Sequence, residues 1–286
     1  MLEPASISYP RFQHPPVVEV VLGVQFKPLP GLGMPQLGLL WAQFRDRFPK
    51  VEHQPPLQHE IERRGVLVQA PITFQVLEPN AVLVPRLWMI SEPGTELLQV
   101  QQDRFIRNWR RYHDGTVKYP EYVESLRPRF IADLREFLAF VESEHLGDVE
   151  FDQCDLTYVN HIEPSGVWTT PADWGLVFPR LAPVQGSNPN RPLDSIGLRA
   201  RHELLDDSGK FVGRLHIQLD SALTGPTAAK PEPQPVFVLQ LIARGSPLGS
   251  GTDGVLRFLD LGHDAIVTTF ESITSGAMHR AWGRTA

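Results

Sequence analysis

Val17-Val18-Glu19-Val20-Val21-Leu22-Gly23-Val24-Gln25-Phe26 alternates, with Val18, Val20, Leu22, Val24 and Phe26 on one side. A period of two marks a strand with one buried face. Gly31 and Gly33 follow, and Pro35 stands at the first position of a helix, where proline is favoured. Leu37, Leu40, Trp41, Phe44 and Phe48 then recur at helical spacing. The same order returns later. Leu156–Ile162 alternates with Leu156, Tyr158 and Ile162 on one side, a Gly166 loop follows, and Thr170-Pro171 opens a helix carrying Trp174, Val177, Phe178 and Leu181. Laid over one another without a gap, Glu19 falls on Asp155, Val20 on Leu156, Leu22 on Tyr158, Phe26 on Ile162, Pro28 on Pro164 and Pro35 on Pro171.

Each half continues with a hairpin and closes with a long amphipathic helix. Leu83–Ser91 and Leu97–Arg107 flank Glu92-Pro93-Gly94, while Ile196–Leu205 and Phe211–Leu219 flank Asp206-Asp207-Ser208-Gly209. Both connections carry turn chemistry. A further strand, Val236–Ala243, follows a proline-rich loop. The closing helices are read from Tyr122, Leu126, Phe130, Leu134, Phe137, Leu138 and Val141, and from Leu256, Leu259, His263, Ile266, Val267, Phe270 and Ile273. Leu146-Gly147 ends the first. Thr274 breaks the second and caps a last short helix bearing Met278 and Trp282.

A strand, a helix, a hairpin and a long helix, written twice, predict an α+β fold. The expected units are pseudo-repeats at residues 1–147 and 148–286, joined as one compact body. Both lend strands to one curved antiparallel sheet, and the long helices back one of its faces. The other face is then concave and open, in the manner of the TATA-binding-protein saddle or the helix-grip folds. That likeness concerns fold and transfers no function.

Composition narrows the function classes. The chain of 286 residues is 42% apolar and 21% charged, too apolar for a disordered protein. It contains no uncharged apolar run of about 18 residues, so no membrane span is expected. Met1–Pro10 lacks the basic and apolar regions of a signal peptide. One cysteine, Cys154, excludes an internal disulfide and fits a reducing cytosol, so a cytoplasmic protein is expected. A net charge of -6 disfavours a broad grip on nucleic-acid phosphates.

The remaining candidates for chemistry are local. Zinc signatures are absent, and no metal, no cofactor and no catalytic residue is assigned. Gly245-Ser246-Pro247-Leu248-Gly249-Ser250-Gly251-Thr252 lies where a strand feeds a helix, yet no lysine follows it. A plain connection with Thr252 or Asp253 as helix cap is expected. Asp260, His263 and Asp264 share one helical turn, and His263 holds a core-stripe position, so a core histidine is favoured over a metal or acid–base site. Asn160-His161 ends the second-half strand, with Asn160 inward where the first half has Val24. The strongest polar group is Asp103–Tyr112, in which Phe105, Arg107, Trp109 and Arg111 share one face and Arg104, Ile106, Asn108, Arg110 and Tyr112 the other. Arginine beside aromatics stacks on bases and forks onto phosphates or carboxylates. An ion-paired edge with Asp103, Asp114, Glu121, Glu124 and Asp133 is the competing reading.

Val20–Phe26, Gln99–Arg110 with Asn108-Trp109-Arg110, Tyr119–Phe130, Thr157–Ile162 and the tail Met278–Arg284 together resemble a sporadically distributed, uncharacterised family of bacterial proteins. The resemblance covers nearly the whole chain and implies no activity. The patchy distribution resembles that of mobile accessory genes such as toxin–antitoxin or phage-defence components.

The expected function is non-enzymatic binding in the bacterial cytosol. A protein partner or an anionic ligand would engage the open sheet face and the Arg/Trp strand, through Arg104, Arg107, Asn108, Trp109, Arg110, Arg111, Asn160 and His161. Two alternatives stand beside it. One is a nucleic-acid-binding saddle. The other is an enzyme with a pocket between sheet and helices, served by His161, His202, His216 or His263.

Overall fold

The computed structural model describes residues 9–65, 84–111, 117–182, 190, 193–225 and 231–285. The chain is α+β. Nine strands form one open antiparallel sheet: β1 (Val17–Phe26), β2 (Lys50–Gln54), β3 (Arg86–Ile90), β4 (Glu96–Gln101), β5 (Arg104–Arg110), β6 (Phe151–Ile162), β7 (Gly197–Leu205), β8 (Phe211–Leu223) and β9 (Pro235–Gly245). Their order across the sheet is β2-β3-β4-β5-β1-β6-β9-β8-β7. The described helices are α1 (Met34–Phe44), α2 (Arg127–Ser143), α3 (Trp174–Val177), α4 (Gly251–Ile273) and α5 (Gly276–Ala281). A π-helical turn, Tyr122–Leu126, leads into α2.

At the centre, β1 pairs with β6, with Val20 opposite Tyr158, Leu22 opposite Leu156 and Val24 opposite Cys154. These side chains lie on the core face, together with Phe105 of β5 and Leu239, Leu241 and Ala243 of β9. The strands break the expected pattern in three places. A bulge between Val17 and Glu19 turns Val17 inward in place of Val18, which is half-buried. The stretch Leu97–Arg107 is two strands, because the chain reverses at Gln102-Asp103 and pairs Gln101 with Arg104. The two-residue turn shifts the phase of the alternation, with Leu98 and Val100 on the core face before it and Phe105, Arg107 and Trp109 after it, whereas a single strand over Leu97–Arg107 would keep one phase. The edge strand β2 is exposed along most of its length and carries no apolar alternation to announce it. Leu83, the expected start of a strand, lies outside the described residues, as do Tyr112 and Asp114.

The helices cover the core face. Phe137 and Phe130 of α2 meet Phe105, at 5.2 and 6.2 Å between ring centroids. Helix α4 lies on β6 and β9, and Gly262 sets its depth: a Cβ there would stand 2.8 Å from that of Ala243. Its N-cap is Ser250, not Thr252 or Asp253. The last helix is capped by Ser275, whose Oγ accepts from the Met278 N–H, so Thr274 ends α4 without capping α5.

One polar pair is built into this apolar layer. Arg107 projects from β5 into the core, 4% exposed, and donates to Asp133 of α2, itself 1% exposed. Arg47 binds the same carboxylate from the end of α1, and Glu96 accepts from Arg107 at 2.9 Å. Two strands, β4 and β5, the helix α2 and Arg47 just beyond α1 are thereby tied at one point.

The other face of the sheet is not bare, which corrects the expectation of an open concavity. Residues 55–65 cross it. Gln25 exchanges hydrogen bonds with the Glu60 backbone, Gln153 accepts from the Glu62 N–H, and Arg104 donates to the Gln58 carbonyl. His59 stands between Asp103 and Asp152, and Glu62 accepts from Arg214 and His216.

Removing one partner of a buried ion pair costs about 3–5 kcal/mol, because the other charge is stranded. Asp133→Ala is therefore expected to lower the urea midpoint by that equivalent. The double change Arg107→Leu/Asp133→Leu is expected to recover most of the loss. A single variant no less stable than the double one would contradict the assignment.

Candidate functional site

A cavity of about 470 Å³ opens where five parts of the chain converge. The N-terminal stretch Tyr9–Val17 forms one wall, and Tyr119–Glu124 another. Tyr158 and Asn160 of β6 and Leu241 of β9 form the floor, and His263, Ile266, Val267 and Phe270 of α4 close the side. The volume falls in the range of ligand pockets, roughly 300–1,000 Å³. The chain has five tyrosines, and Tyr9, Tyr119, Tyr122 and Tyr158 all line this cavity.

The N-terminal wall is pinned by the C-terminus. Gln13 and His14 donate backbone hydrogen bonds to the Gly283 and Trp282 carbonyls, and Thr285 donates to that of Arg11. Phe12 packs against Phe270, Trp282 and His279, at 6.0, 5.9 and 5.6 Å. Gly283 has φ +68, and a Cβ there would press on Gln13. Arg11 pairs with Glu124 at 2.5 Å across the mouth.

His263 is the centre of the aromatic cluster. Its ring lies 4.1 Å from Tyr122, 4.8 Å from Tyr9 and 6.0 Å from Tyr158. It is 5% exposed, and its Nδ1 is buried without a hydrogen-bond partner among the described residues. Burial lowers its pKa to about 4, against the pull of Asp260. It is therefore neutral at pH 7.

The phenols around it are held in their protonated form. Tyr119 and Tyr158 share a 3.0 Å hydrogen bond, and burial raises both pKa values. Tyr122 donates to Asp260 at 3.1 Å, and Asp260 also takes both arms of Arg127. Asp260 thus turns to Arg127, while His263 turns to the rings. Among the described residues, no group of three or more His, Cys, Asp or Glu side chains is arranged to hold a metal ion.

Glu121 differs from its neighbours. Its carboxylate is half-buried and lines the cavity, and burial raises its pKa. No hydrogen bond to its side chain occurs among the described residues.

The residues singled out in the sequence are distributed as follows. Arg104 is 7% exposed and donates to Gln25 and the Gln58 carbonyl beneath residues 55–65. Arg107 is committed to Asp133 and Glu96. Asn108 accepts from Gln99 and donates to Glu19, both at 2.7 Å. Trp109 is a core residue, edge-on to Tyr119 at 5.7 Å. Arg110 lies over the Trp88 ring, and Arg111 donates to the Pro15 carbonyl. Those two arginines border a second hollow with Lys50, Glu52 and Glu92. Asn160 lines the aromatic cavity and donates to the Leu239 carbonyl at 3.2 Å. His161 is exposed on the opposite side of the strand.

His202 is exposed on β7, and His216 is bound to Glu62, so the four candidate histidines do not converge. The 245–252 loop is folded onto α4, with its Leu248 carbonyl accepting from Arg257 Nε. The sequence assigned Tyr158 and Tyr122 to core stripes and Glu121 to an ion-paired edge, and it gave no role to Tyr9 or Tyr119. The one signal available was that four of five tyrosines fall in segments adjoining the two halves' central elements. No protein-family model matches the chain, and no curated protein is similar to it.

A histidine held neutral in the fold costs stability as pH falls. The unfolded imidazole takes its proton near pH 6.5 and the folded one only near pH 4. The stability present above the unfolded value is lost between those two points, by about 3 kcal/mol at full extent. His263→Phe is expected to have a flatter urea midpoint between about pH 7 and pH 4 than wild type. Parallel curves would refute the assignment.

Proposed function

We propose that the protein is a binding protein whose ligand is a small organic molecule held in the cavity between the sheet and α4. The observation that carries this reading is an aromatic-lined space of ligand size, about 470 Å³, with the His263 ring packed among those of Tyr9, Tyr122 and Tyr158 in its wall. Binding is favoured over catalysis because the histidines considered as acid–base groups sit apart.

The Arg/Trp strand contributes less than its composition promised. Of its arginines, Arg110 and Arg111 remain at the surface, beside Lys50. A buried Arg111 Nε without a partner favours a second reading, an anionic ligand or partner at that hollow. The resemblance to a sporadically distributed bacterial family supports a cytoplasmic accessory role, such as toxin–antitoxin or phage defence.

We also infer that the two halves are repeats sharing a saddle-like platform. Each half places its first strand centrally and its last strand next to it: β1 beside β5, and β6 beside β9. Val21 pairs with Thr157, the residue onto which the gapless overlay carries it.

A fragment library screened by NMR tests the binding reading. Hits are expected to shift resonances of Tyr119, Tyr122, Tyr158 and His263, and Val267→Trp, which fills the cavity, is expected to weaken them at least about tenfold. Hits that bind the filled variant equally well, or an absence of hits on wild type, would defeat it.

A further inference from the structure

The charges around the cavity point to the class of ligand. Glu124 is matched by Arg11, and Asp260 by Arg127. Glu121 is half-buried and has no ion pair of its own among the described residues; the pull of Arg11, whose guanidinium is paired with Glu124, is outweighed by burial. Asp264 and Asp260 also raise the pKa of Tyr9, after the larger effect of burial. The field at the mouth is therefore negative. Of the groups lining the cavity, Arg11 alone carries a positive charge, and it is exposed and paired. His263 adds none at pH 7.

Aromatic rings attract cations through the negative faces of their π systems. Four tyrosines, Phe12 and Phe270 supply such rings. A carboxylate set beside them favours a positive ligand twice over, by direct attraction and by regaining the solvation that burial removed. An anion would meet the opposite on both counts. A neutral ligand would leave Glu121 with only the pull of Arg11, which Glu124 already shares.

We propose that the cavity is selective for a small organic cation, an ammonium group bearing aliphatic or aromatic substituents, seated among the tyrosine rings and balanced by Glu121. The proposal rests on the cavity being a ligand site. It goes further in fixing the ligand's charge and in naming the residue that reads it. Substituents on nitrogen matter because a bare ammonium is strongly hydrated, whereas an alkylated one presents apolar surface to the rings.

Choline and its uncharged carbon isostere, 3,3-dimethylbutan-1-ol, separate charge from shape. Titrations of the full-length protein at pH 7.5 compare wild type with Glu121→Gln, whose fold is checked by circular dichroism and its thermal midpoint. Choline is expected to bind wild type at least about tenfold more tightly than the isostere, as expected of a desolvated cation–ring contact. Glu121→Gln is expected to abolish most of that preference while leaving isostere binding within about twofold. Equal affinity for the two probes in wild type would overturn the proposal, and so would a preference indifferent to Glu121→Gln. In either case, binding of the isostere at Tyr158 and His263 would show the cavity reading still standing. If neither probe binds while neutral or acidic fragments do, cation selectivity fails alone. If nothing binds, both readings fall.

Discussion

Antiparallel pairing of β1 with β6 is the constraint on which the remaining architecture depends. These strands lie at the centre of the sheet, where they join the strands formed before residue 148 to those formed after it. Their side chains alternate, so register decides everything on either face. A slip of one residue would send Leu22 and Leu156 outward and deliver Gly23 and Asp155 to the helices. With the register set, α2 finds Phe26 and Phe105, and α4 finds Leu156 and Ala243. The floor of the cavity follows from the same pairing, because Tyr158 and Asn160 lie farther along the same β6 face.

The polar groups divide by face in a way that explains the cavity's character. On the helix-covered face, the charge between β5 and α2 is concentrated in Arg107 and Asp133, which satisfy each other. On the opposite face, Gln25, Arg104, Gln153, Arg214 and His216 hold residues 55–65 against the sheet. The cavity lies on the helix side, beyond the ion pair, where the wall is supplied by rings. There the polar groups are hydroxyls, an imidazole, the Asn160 amide and the half-buried Glu121 carboxylate, with the Arg11–Glu124 pair at the mouth. Such a lining binds by stacking and charge, with few directional contacts.

Much of this architecture was legible beforehand. Alternation in Val17–Phe26 and Leu156–Ile162, the stripes of α2 and α4, and the turns at Pro93-Gly94 and Ser208-Gly209 all correspond to elements of the fold. The faces of Asp103–Arg111 were assigned correctly as well. Their use was not, because the same alternation suits an exposed basic edge and a strand with one arginine in the core. Asp133 decides between the two, and no spacing rule connects it to Arg107. The reversal at Gln102-Asp103 was hidden for a related reason. The core face holds even-numbered positions up to Val100 and odd-numbered ones from Phe105, but the four polar residues between them, Gln101 to Arg104, carry no apolar pattern to mark the change of phase.

Periodicity and turn chemistry act over a few residues, and to that extent the amino-acid order alone determined the strands, the helices, their buried faces and the α+β class. Partners distant in the chain were settled only by folding. Phe12 meets Trp282, Tyr9 meets His263, and Tyr119 meets Tyr158 because the sheet and helices bring those positions together. A cavity is the space left between such groups. Its shape and charge arise from their joint arrangement, and no single segment contains them.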